Sequence, residues 1–454
     1  MGNNTTIVWL RDDLRIADNP ALSAAVERGG QVVVVYVLDE VSQGIRPLGG
    51  ASRWWLHHSL ESLAASIEKL GGRLVLRRGP AADEINDLVA ETDAEAVYWN
   101  RRYAASRDLD ADLKHSLRKR DIDAQSFAAN LLFEPWTVTT AEGNPYRVFT
   151  PFWRACLDKV PPRTPIDAPT KLTSPEVESD KLASWQLLPT KPDWSGGLAD
   201  RWVPGEASAI RTLESFATGA LADYDRRDLP ALDSTSHLSP HLRFGEISPF
   251  QIWHRVHGTI DAKARKNAEG YLREVIWREF NWNILFHSPE LATKNFRGEF
   301  DAFPWEKPSA PVLDAWRHGN TGIPLVDAGM RELWATGYMH NRVRLVVASF
   351  LVKNLLLDWR LGEQWFWDTL VDADEANNPG NWQWVAGSGA DAAPYFRIFN
   401  PLLQASKFDP DGEYIARWLP SDELAAQPIV DLAETRRAAL AAYDVVKRAS
   451  VDRQ

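Results

Sequence analysis

The sequence of 454 residues contains almost no cysteine, since Cys156 is the only one. A single thiol cannot form a disulfide within the chain, and it cannot supply a four-cysteine zinc or iron–sulfur site. We therefore expect a cytoplasmic protein that has no metal centre.

Long apolar runs are also missing. No stretch approaches about 18 consecutive apolar residues, the length that a membrane-spanning helix needs. The N-terminus, MGNNTTIVWLRDDLR, lacks the basic region and apolar run of a signal peptide. These absences predict a protein that does not associate with a membrane.

Positive charge is in short supply. The chain has 51 lysines and arginines against 62 acidic residues, which gives a formal net charge of −11. Such a balance argues mildly against nucleic-acid binding, because phosphate-binding proteins usually carry a basic face. A local basic patch on an acidic protein remains compatible with these numbers.

Tryptophan, in contrast, is abundant. The sequence has 21 tryptophans, many of them between Trp277 and Trp384. For each one alone, packing in a large helical core is a sufficient explanation. A cofactor site in the same region is the alternative.

The first 130 residues alternate short apolar runs with amphipathic segments. Buried parallel strands are predicted at residues 7–10, 31–38, 74–76 and 96–99. Apolar residues recur at helical spacing from Trp55 to Leu70, and Asn19-Pro20 predicts another helix start. This order predicts a doubly wound, Rossmann-like parallel sheet over residues 1–130. No G-x-G-x-x-G or P-loop follows the first strand, which excludes a standard dinucleotide or ATP site there.

The remainder divides into a connector and a helical domain. Residues 161–205 are rich in proline, serine, threonine and aspartate, and we predict an interdomain connector over residues 131–205. Beyond it the pattern is helical, which predicts an all-α domain over residues 206–454. The expected fold class is thus an α/β domain followed by an all-α domain.

Four motifs of the helical domain combine polar and aromatic residues. In TSHLSPHL (235–242), three hydroxyl groups suit either helix capping or phosphate binding, and Tyr224 with Arg226-Arg227 upstream favours phosphate. In YLREVIWREF, a carboxylate, an indole and a guanidinium lie at i, i+3 and i+4 on one helix face, which suits a polar aromatic ligand. The motif MHNRVRL has Asn341 and Leu345 on one face, with His340 and Arg344 beside it. The acidic loop DADEANNPGNWQW (372–384) lacks the glycine and terminal glutamate of an EF-hand.

The segments WLRDDLRIADNPAL, TSHLSPHLRFGEIS, EVIWREF, TGYMHNRVRL, DWR, VDADEANNPGNWQW and DAAPYFRIFNP closely resemble the photolyase and cryptochrome family over nearly the whole chain. The resemblance implies an antenna chromophore near the α/β domain and a U-shaped FAD in the helical domain. The residues implied for FAD are Tyr224, Thr235, Ser236, His237, Leu238, Ser239, Arg278, Asp372, Ala373, Asp374 and Asn378. Asn378 would face the flavin N5, where photolyases have asparagine and plant cryptochromes aspartate.

The resemblance also implies a substrate, a cyclobutane pyrimidine dimer flipped out of DNA. Glu274 and Asn341 would hydrogen-bond the dimer, and Trp277 and Trp384 would stack on its bases. Further DNA or substrate contacts are implied for Arg227, Arg342, Leu345, Arg397 and Gln404. The catalytic set is therefore Glu274, Asn341 and Asn378.

A tryptophan relay that photoreduces the flavin is implied at Trp382, Trp359 and Trp305. Trp305 lies about one position from where the family pattern places the outer member. The antenna is expected to be 5,10-methenyltetrahydrofolate, with 8-hydroxy-5-deazaflavin or no antenna as alternatives.

Departures from the family pattern narrow the class. Photolyases for (6-4) lesions have two histidines where this chain has Asn341 and Leu345, and iron–sulfur photolyases need more cysteines. Leu345 replaces the methionine of class I enzymes, and FWDTLVDAD is closer to class III photolyases and plant cryptochromes. The leading hypothesis is a photolyase that repairs cyclobutane pyrimidine dimers and works as a monomer. The alternatives are a blue-light receptor without repair activity and a flavoprotein unrelated to DNA. We expect only residues 434–454 to lie beyond the helical domain, and this short remainder argues against the receptor.

Overall fold

The N-terminal part of the chain forms the predicted parallel sheet. The computed structural model describes residues 4–159, 161–258, 262–392, 396–424 and 426–451. Five strands, in the order β3-β2-β1-β4-β5, are all parallel: β1 (Thr5–Leu10), β2 (Gln31–Leu38), β3 (Leu74–Arg78), β4 (Ala96–Asn100) and β5 (Asp123–Phe127). Every residue of β1 is buried, because helices cover both faces of the sheet.

Strand β5 was not predicted. Its sequence, DAQSF, contains no apolar run, and only Ala124 is fully buried. It lies at the edge of the sheet and pairs with β4 alone, so fewer of its side chains enter the core. An edge strand of this kind has no periodic signal in the sequence.

Four helices flank the sheet, namely α1 (Pro20–Arg28), α2 (Gly50–Lys69), α3 (Ala81–Thr92) and α4 (Arg107–Arg118). The predicted start of α1 is confirmed, since Asn19 accepts a hydrogen bond from the Leu22 amide at 3.1 Å and Pro20 is the first helical residue. Helix α2 ends next to Gly71-Gly72, as its periodicity predicted.

The stretch predicted as a connector contains regular structure. It includes α5 (Phe149–Leu157) and α6 (Gly196–Arg201), and Phe149, Phe152 and Cys156 pack into the core of the helical half. Much of the rest is irregular and is bonded to the α/β domain, for example through the Leu172 amide to the Leu70 carbonyl at 2.7 Å. The connector therefore belongs to both halves rather than only joining them.

The remainder is helical, as predicted. Its described α-helices are α7 (Glu206–Thr218), α8 (Ser239–Arg243), α9 (Pro249–His257), α10 (Ala262–His287), α11 (Ala310–Arg317), α12 (Pro324–Thr336), α13 (Asn341–Ser349), α14 (Trp359–Thr369), α15 (Asn377–Ala386), α16 (Pro401–Phe408), α17 (Glu413–Trp418) and α18 (Leu432–Val451). A π-helical turn, Phe350–Asn354, follows α13. Helix α18 is part of the fold, because Ala439, Ala442 and Val446 are buried against Phe300 and Phe303.

The two halves meet closely between residues 46–50 and helix α14. The indole of Trp367 donates to the Pro47 carbonyl at 2.9 Å, and the Gly50 amide donates to Asp368 at 2.8 Å. A Cβ at Gly49 would lie 2.1 Å from the Trp367 carbonyl oxygen, so only glycine permits this approach. None of the helices in the described part of the chain is long and apolar enough to cross a membrane.

Candidate functional site

A cavity of about 450 Å³ opens in the helical domain between α8, α10, α13 and α15. The predicted site residues that line it are Tyr224, Ser236, Leu238, Ser239, Glu274, Trp277, Arg278, Asn341, Leu345, Asp372, Ala373, Asp374, Asn378, Trp382 and Trp384. Most of the residues singled out from four separate motifs thus meet at one place. The volume lies in the range of small-molecule and cofactor sites.

Helix α10 supplies one wall of the cavity. Glu274, Trp277 and Arg278 all face it, as their spacing predicted. The Trp277 ring stacks on Phe149 with centroids 3.7 Å apart and planes 7° apart. Arg278 donates to the Asn130 carbonyl at 2.9 Å, so α10 is held by the end of the α/β domain as well. These contacts fix the wall before any ligand binds.

The carboxylate of Glu274 is the titratable group of this wall. Burial raises the pKa of Glu274, while Arg227, which donates to its Oε1 at 3.3 Å, acts in the opposite direction. A raised pKa increases the fraction of protonated carboxyl at neutral pH. Glu274 therefore places in the cavity a carboxyl group whose pKa is raised by burial and opposed by the Arg227 ion pair.

Asp372 connects α8 to α13 across the cavity. Its Oδ2 accepts hydrogen bonds from Ser239 Oγ at 2.7 Å and from Arg344 Nη2 at 2.9 Å. Its Oδ1 is buried and has no partner among the described residues. A buried acceptor without a donor is costly, so this oxygen is suited to a ligand N–H.

Asp374 has a structural task as well as a place in the lining. Its carboxylate accepts hydrogen bonds from the Ala376 amide at 2.8 Å and the Asn377 amide at 2.5 Å, and from the Asn377 side chain at 2.7 Å. These bonds satisfy free amides at the start of α15. The acidic loop is thus organised around a helix start.

The amide of Asn378 is oriented by Glu363. Its Nδ2 donates to the Glu363 carbonyl oxygen at 3.0 Å and to Glu363 Oε1 at 2.8 Å. Because both partners are acceptors, the NH₂ group must face Glu363. The Oδ1 of Asn378 is then the atom left for the cavity.

Thr235 and His237 do not line the cavity, although the family resemblance implied both for the cofactor. His237 has a φ of 51°, and its ring contacts Asp233 at 2.5 Å and Thr235 Oγ1 at 3.4 Å. This part of the motif forms a local turn whose polar groups bind one another. Helix α8 has no side-chain cap, so these two residues do not act as the caps that the alternative interpretation of TSHLSPHL predicted.

The structure adds lining residues that the sequence analysis did not select. Tyr271, which donates to Ser236 Oγ at 3.1 Å, lies one turn before Glu274 on α10, so helical spacing could have identified it. Arg344 and Arg243 also line the cavity. Arg344 was assigned to a neighbouring face of α13, but the ion pair with Asp372 draws its head group to the cavity.

Arg342, Arg397 and Gln404 lie outside the cavity, in an adjoining open groove of about 840 Å³. The groove also contains Arg226, Lys407 and Arg436, which outnumber Asp225 and Asp228 there. The guanidinium of Arg397 lies 5.8 Å from the Trp384 ring centroid, so the groove borders the cavity wall. A local basic patch therefore exists on this acidic chain.

Of the three tryptophans predicted as a relay, Trp382 lines the cavity, whereas Trp359 and Trp305 do not. The Trp382 ring lies so close to α14 that a Cβ at Gly362 would be 2.1 Å from it. Gly362 is one turn from Trp359, which is buried and donates to Asn295 at 2.9 Å. Trp305 is partly buried, and the neighbouring Glu306 amide bonds to the Leu356 carbonyl just before α14.

One group of side chains in the described residues has its potential metal-ligating atoms within 4.8 Å of one another, namely His57, His58 and Glu61. It lies on α2 and takes no part in the cavity lining. Glu61 is 3.5 Å from His57 and 2.9 Å from His58, as expected for side chains at i, i+4 and i, i+3 on one helix.

The fold and the cavity define a class of two-domain protein in which an α/β domain precedes a helical cofactor-binding domain. A family model for DNA photolyase matches residues 6–170, and one for the FAD-binding domain of DNA photolyase matches residues 271–427. The chain belongs to the DNA photolyase family and binds FAD.

Individual relatives agree with this assignment. The chain is 50% identical to a deoxyribodipyrimidine photo-lyase of Agrobacterium fabrum, over 97% of this chain and 98% of the relative. It is 39% identical to cryptochrome-1 of Arabidopsis thaliana, over 93% of this chain and 63% of the relative. A crystal structure of a bacterial class III photolyase from Agrobacterium tumefaciens superposes with a TM-score of 0.93 at 49% identity, covering 99% of this chain and 98% of that one.

Proposed function

We propose that this protein is a light-driven DNA repair enzyme that splits cyclobutane pyrimidine dimers. The observation that carries the proposal is the meeting of Glu274, Trp277, Asn341 and Trp384 around the same cavity as Asn378. A flavoprotein unrelated to DNA has no need of this combination. The 50% identity to a photo-lyase over nearly the whole chain supports repair over a signalling role alone.

FAD occupies the cavity in this proposal. The buried Oδ1 of Asp372 and the buried indole nitrogen of Trp382 lack partners among the described residues, and both residues line the cavity. Residues proposed to hold the ring system are Arg278, Asp372, Ala373, Asp374 and Asn378. Residues proposed for the phosphates and ribityl chain are Tyr224, Ser236, Leu238 and Ser239, with Arg344 added and Thr235 and His237 acting indirectly. Bound and reduced, the flavin supplies on illumination the electron that splits the dimer.

The dimer enters the same cavity as a flipped-out pair of bases. A damaged pair costs less to extrude than a normal one, and the rings of Trp277 and Trp384 provide surfaces for stacking. Asn341 and, in its protonated form, Glu274 donate hydrogen bonds to the base carbonyls, which stabilises negative charge on the dimer. Leu345 fills apolar space beside them.

The flanking DNA strand lies along the basic groove. Arg342, Arg397 and Gln404 contact phosphates there, and Arg227 holds Glu274 from the side. Trp382, Trp359 and Trp305 carry electrons from the surface toward the flavin. The contact of the Trp382 ring with Gly362, one turn from Trp359, supports the inner step.

The antenna is proposed to be 5,10-methenyltetrahydrofolate, with 8-hydroxy-5-deazaflavin as the alternative. The similarity to a class III photolyase, over 99% of this chain, supports assignment to that class. We further propose a monomer that works in the cytoplasm. Absorption and fluorescence spectra of the chromophore released from purified protein identify the antenna, and sedimentation gives the oligomeric state.

The decisive experiment measures repair. Purified, reduced protein is illuminated with an oligonucleotide that contains one thymine dimer, and restored thymines are measured by chromatography. A dark sample and a sample without protein serve as controls. Light-dependent restoration supports the proposal, whereas intact FAD binding without repair favours a cryptochrome-type receptor.

A further inference from the structure

We propose that Arg46, a residue of the α/β domain, is a positioning residue for the flavin site: it acts through Glu363 on the amide of Asn378. The inference rests on the proposed placement of FAD next to Asn378. The residues form a chain of contacts that runs from the α/β domain through α14 to α15.

The first link is a two-pronged ion pair. Arg46 Nη1 and Nη2 donate to Glu363 Oε1 at 2.6 Å and to Oε2 at 2.9 Å. The side chain of Glu363 is only 2% exposed, whereas that of Arg46 is 25% exposed. Arg46 is the cation that contacts this buried carboxylate among the described residues. The fork geometry holds both oxygens in place.

The second link is the contact between Glu363 and Asn378, which orients the Asn378 amide. The two Glu363 oxygens that Asn378 contacts accept hydrogen bonds, so both hydrogens of Asn378 Nδ2 are directed at them. Without Arg46 the Glu363 side chain could rotate away, and Asn378 Nδ2 would keep only its 3.0 Å bond to the Glu363 carbonyl. Arg46 therefore favours the arrangement in which Oδ1 faces the cavity.

Arg46 is itself held by close domain contacts. Its guanidinium lies 3.9 Å from the Trp367 ring centroid, and Trp367 in turn bonds to Pro47. The tight approach at Gly49 fixes the same segment on α14. Because Trp367 and the segment around Gly49 are held against each other across the domain boundary, the position of Arg46 depends on how the two domains dock.

The consequence concerns the redox state of the flavin. Reduced flavin carries a hydrogen on N5, whereas oxidised flavin presents a lone pair there. An acceptor oxygen at Asn378 stabilises the forms with N5–H, and an NH₂ group stabilises the oxidised form. Arg46 should therefore raise the reduction potential of bound FAD.

The test compares variants of the full-length, FAD-loaded protein by redox titration followed in the visible spectrum. Arg46→Gln should lower the ratio of reduced to oxidised FAD at a fixed potential by about tenfold, the effect of one hydrogen bond. Arg46→Lys, which keeps the charge but loses the fork, should fall between Arg46→Gln and wild type. The matched control is Arg107→Gln: Arg107 also crosses the domain boundary, with a hydrogen bond of 2.7 Å to Phe286 and its guanidinium 4.1 Å from that ring.

An unchanged ratio in Arg46→Gln would overturn the proposal, and so would an equal shift in Arg107→Gln, because general loosening would then explain both. If Arg46→Gln fails to retain FAD, the variants Glu363→Gln and Arg46→Lys are measured instead. Both should lower the ratio of reduced to oxidised FAD. A wild-type ratio in either variant refutes the positioning role of Arg46. Repair by wild-type protein is measured separately. A redox shift without wild-type repair would refute the proposed function and leave the Arg46 role intact.

Discussion

The carboxyl edge of the sheet and the cavity of the helical domain both gather buried polar residues, but the cavity has about 450 Å³ of open space, whereas the pocket beside Asp12 and Arg102 has about 20 Å³. Open α/β sheets usually bind ligands where the strand order reverses, here between β1 and β4. In this protein Asp13 accepts from the Arg11 amide and the Asn100 side chain, both at 2.6 Å. Arg15 donates to the carbonyls of Asp18, Ala129 and Gly245. The chain itself occupies that crevice, although Arg11 Nε and Asp18 Oδ2 are buried there without a partner among the described residues.

In the helical cavity, Asp372, Asn378 and Trp382 all line open space. Asp372 Oδ1 and Trp382 Nε1 are buried beside it without a partner among the described residues. The comparison shows that buried polar residues alone do not mark a binding site. Where donors and acceptors satisfy one another, they hold the fold together, and where a cavity leaves them unpaired, they are available to a ligand. Four substitutions test this distinction.

The largest effect on stability is expected at the sheet edge. Arg15→Met should lower the free energy of unfolding by about 3–5 kcal/mol, because several buried carbonyls lose their donor. The measurement is urea denaturation followed by circular dichroism. Arg28→Met, which removes partly exposed ion pairs, should cost less than about 1 kcal/mol. Equal losses in the two variants would show that the Arg15 network is not a stabilising one.

In the cavity, the effect should fall on binding. Trp384→Ala should weaken binding of dimer-containing DNA by about 10- to 100-fold, because a stacking surface is lost. Fluorescence anisotropy with a labelled oligonucleotide measures the affinity. The control is Trp334→Ala, which removes a half-exposed tryptophan of α12 that does not line the cavity. Wild-type affinity in Trp384→Ala would remove this residue from the substrate wall.

Glu274→Ala should bind DNA but repair with a quantum yield lower by about threefold, since one hydrogen bond to the dimer is lost. Burial raises the pKa of Glu274, so its donor form is present below that pKa and is lost as the pH rises through it. The wild-type yield should therefore fall with rising pH, and the variant should lack this decline. Glu269→Ala, on the exposed side of α10, is the control. An unchanged yield in Glu274→Ala contradicts the assigned role.

The smallest effect is expected in the basic groove. Arg397→Gln should lower the slope of log affinity against log salt by about 1, equally for damaged and undamaged DNA. Binding titrations at several salt concentrations give the slope. Lys294→Gln changes an exposed lysine outside the groove and should leave the slope unaltered. A loss confined to damaged DNA would place Arg397 in dimer recognition instead.

Periodicity predicted a large part of the architecture. The apolar runs of β1 to β4 identified the buried strands, and the i, i+3, i+4 spacing of Glu274, Trp277 and Arg278 identified one wall of the cavity. Periodicity failed for β5, whose side chains are only half buried, and for α5, whose residues pack on a helix distant in sequence. A local pattern of residues indicates which side chains are buried, but it does not indicate which distant residues they pack against.

The sequence by itself determined the two-domain order, the helical half and the family motifs, because each depends on residue types at short spacing. Only the tertiary structure decided that Thr235 and His237 turn toward each other, that Arg344 reaches Asp372, and that Arg46 meets Glu363. Arg46 and Glu363 are 317 positions apart in the chain. Contacts of this kind arise from domain packing, and no local pattern of residues encodes them.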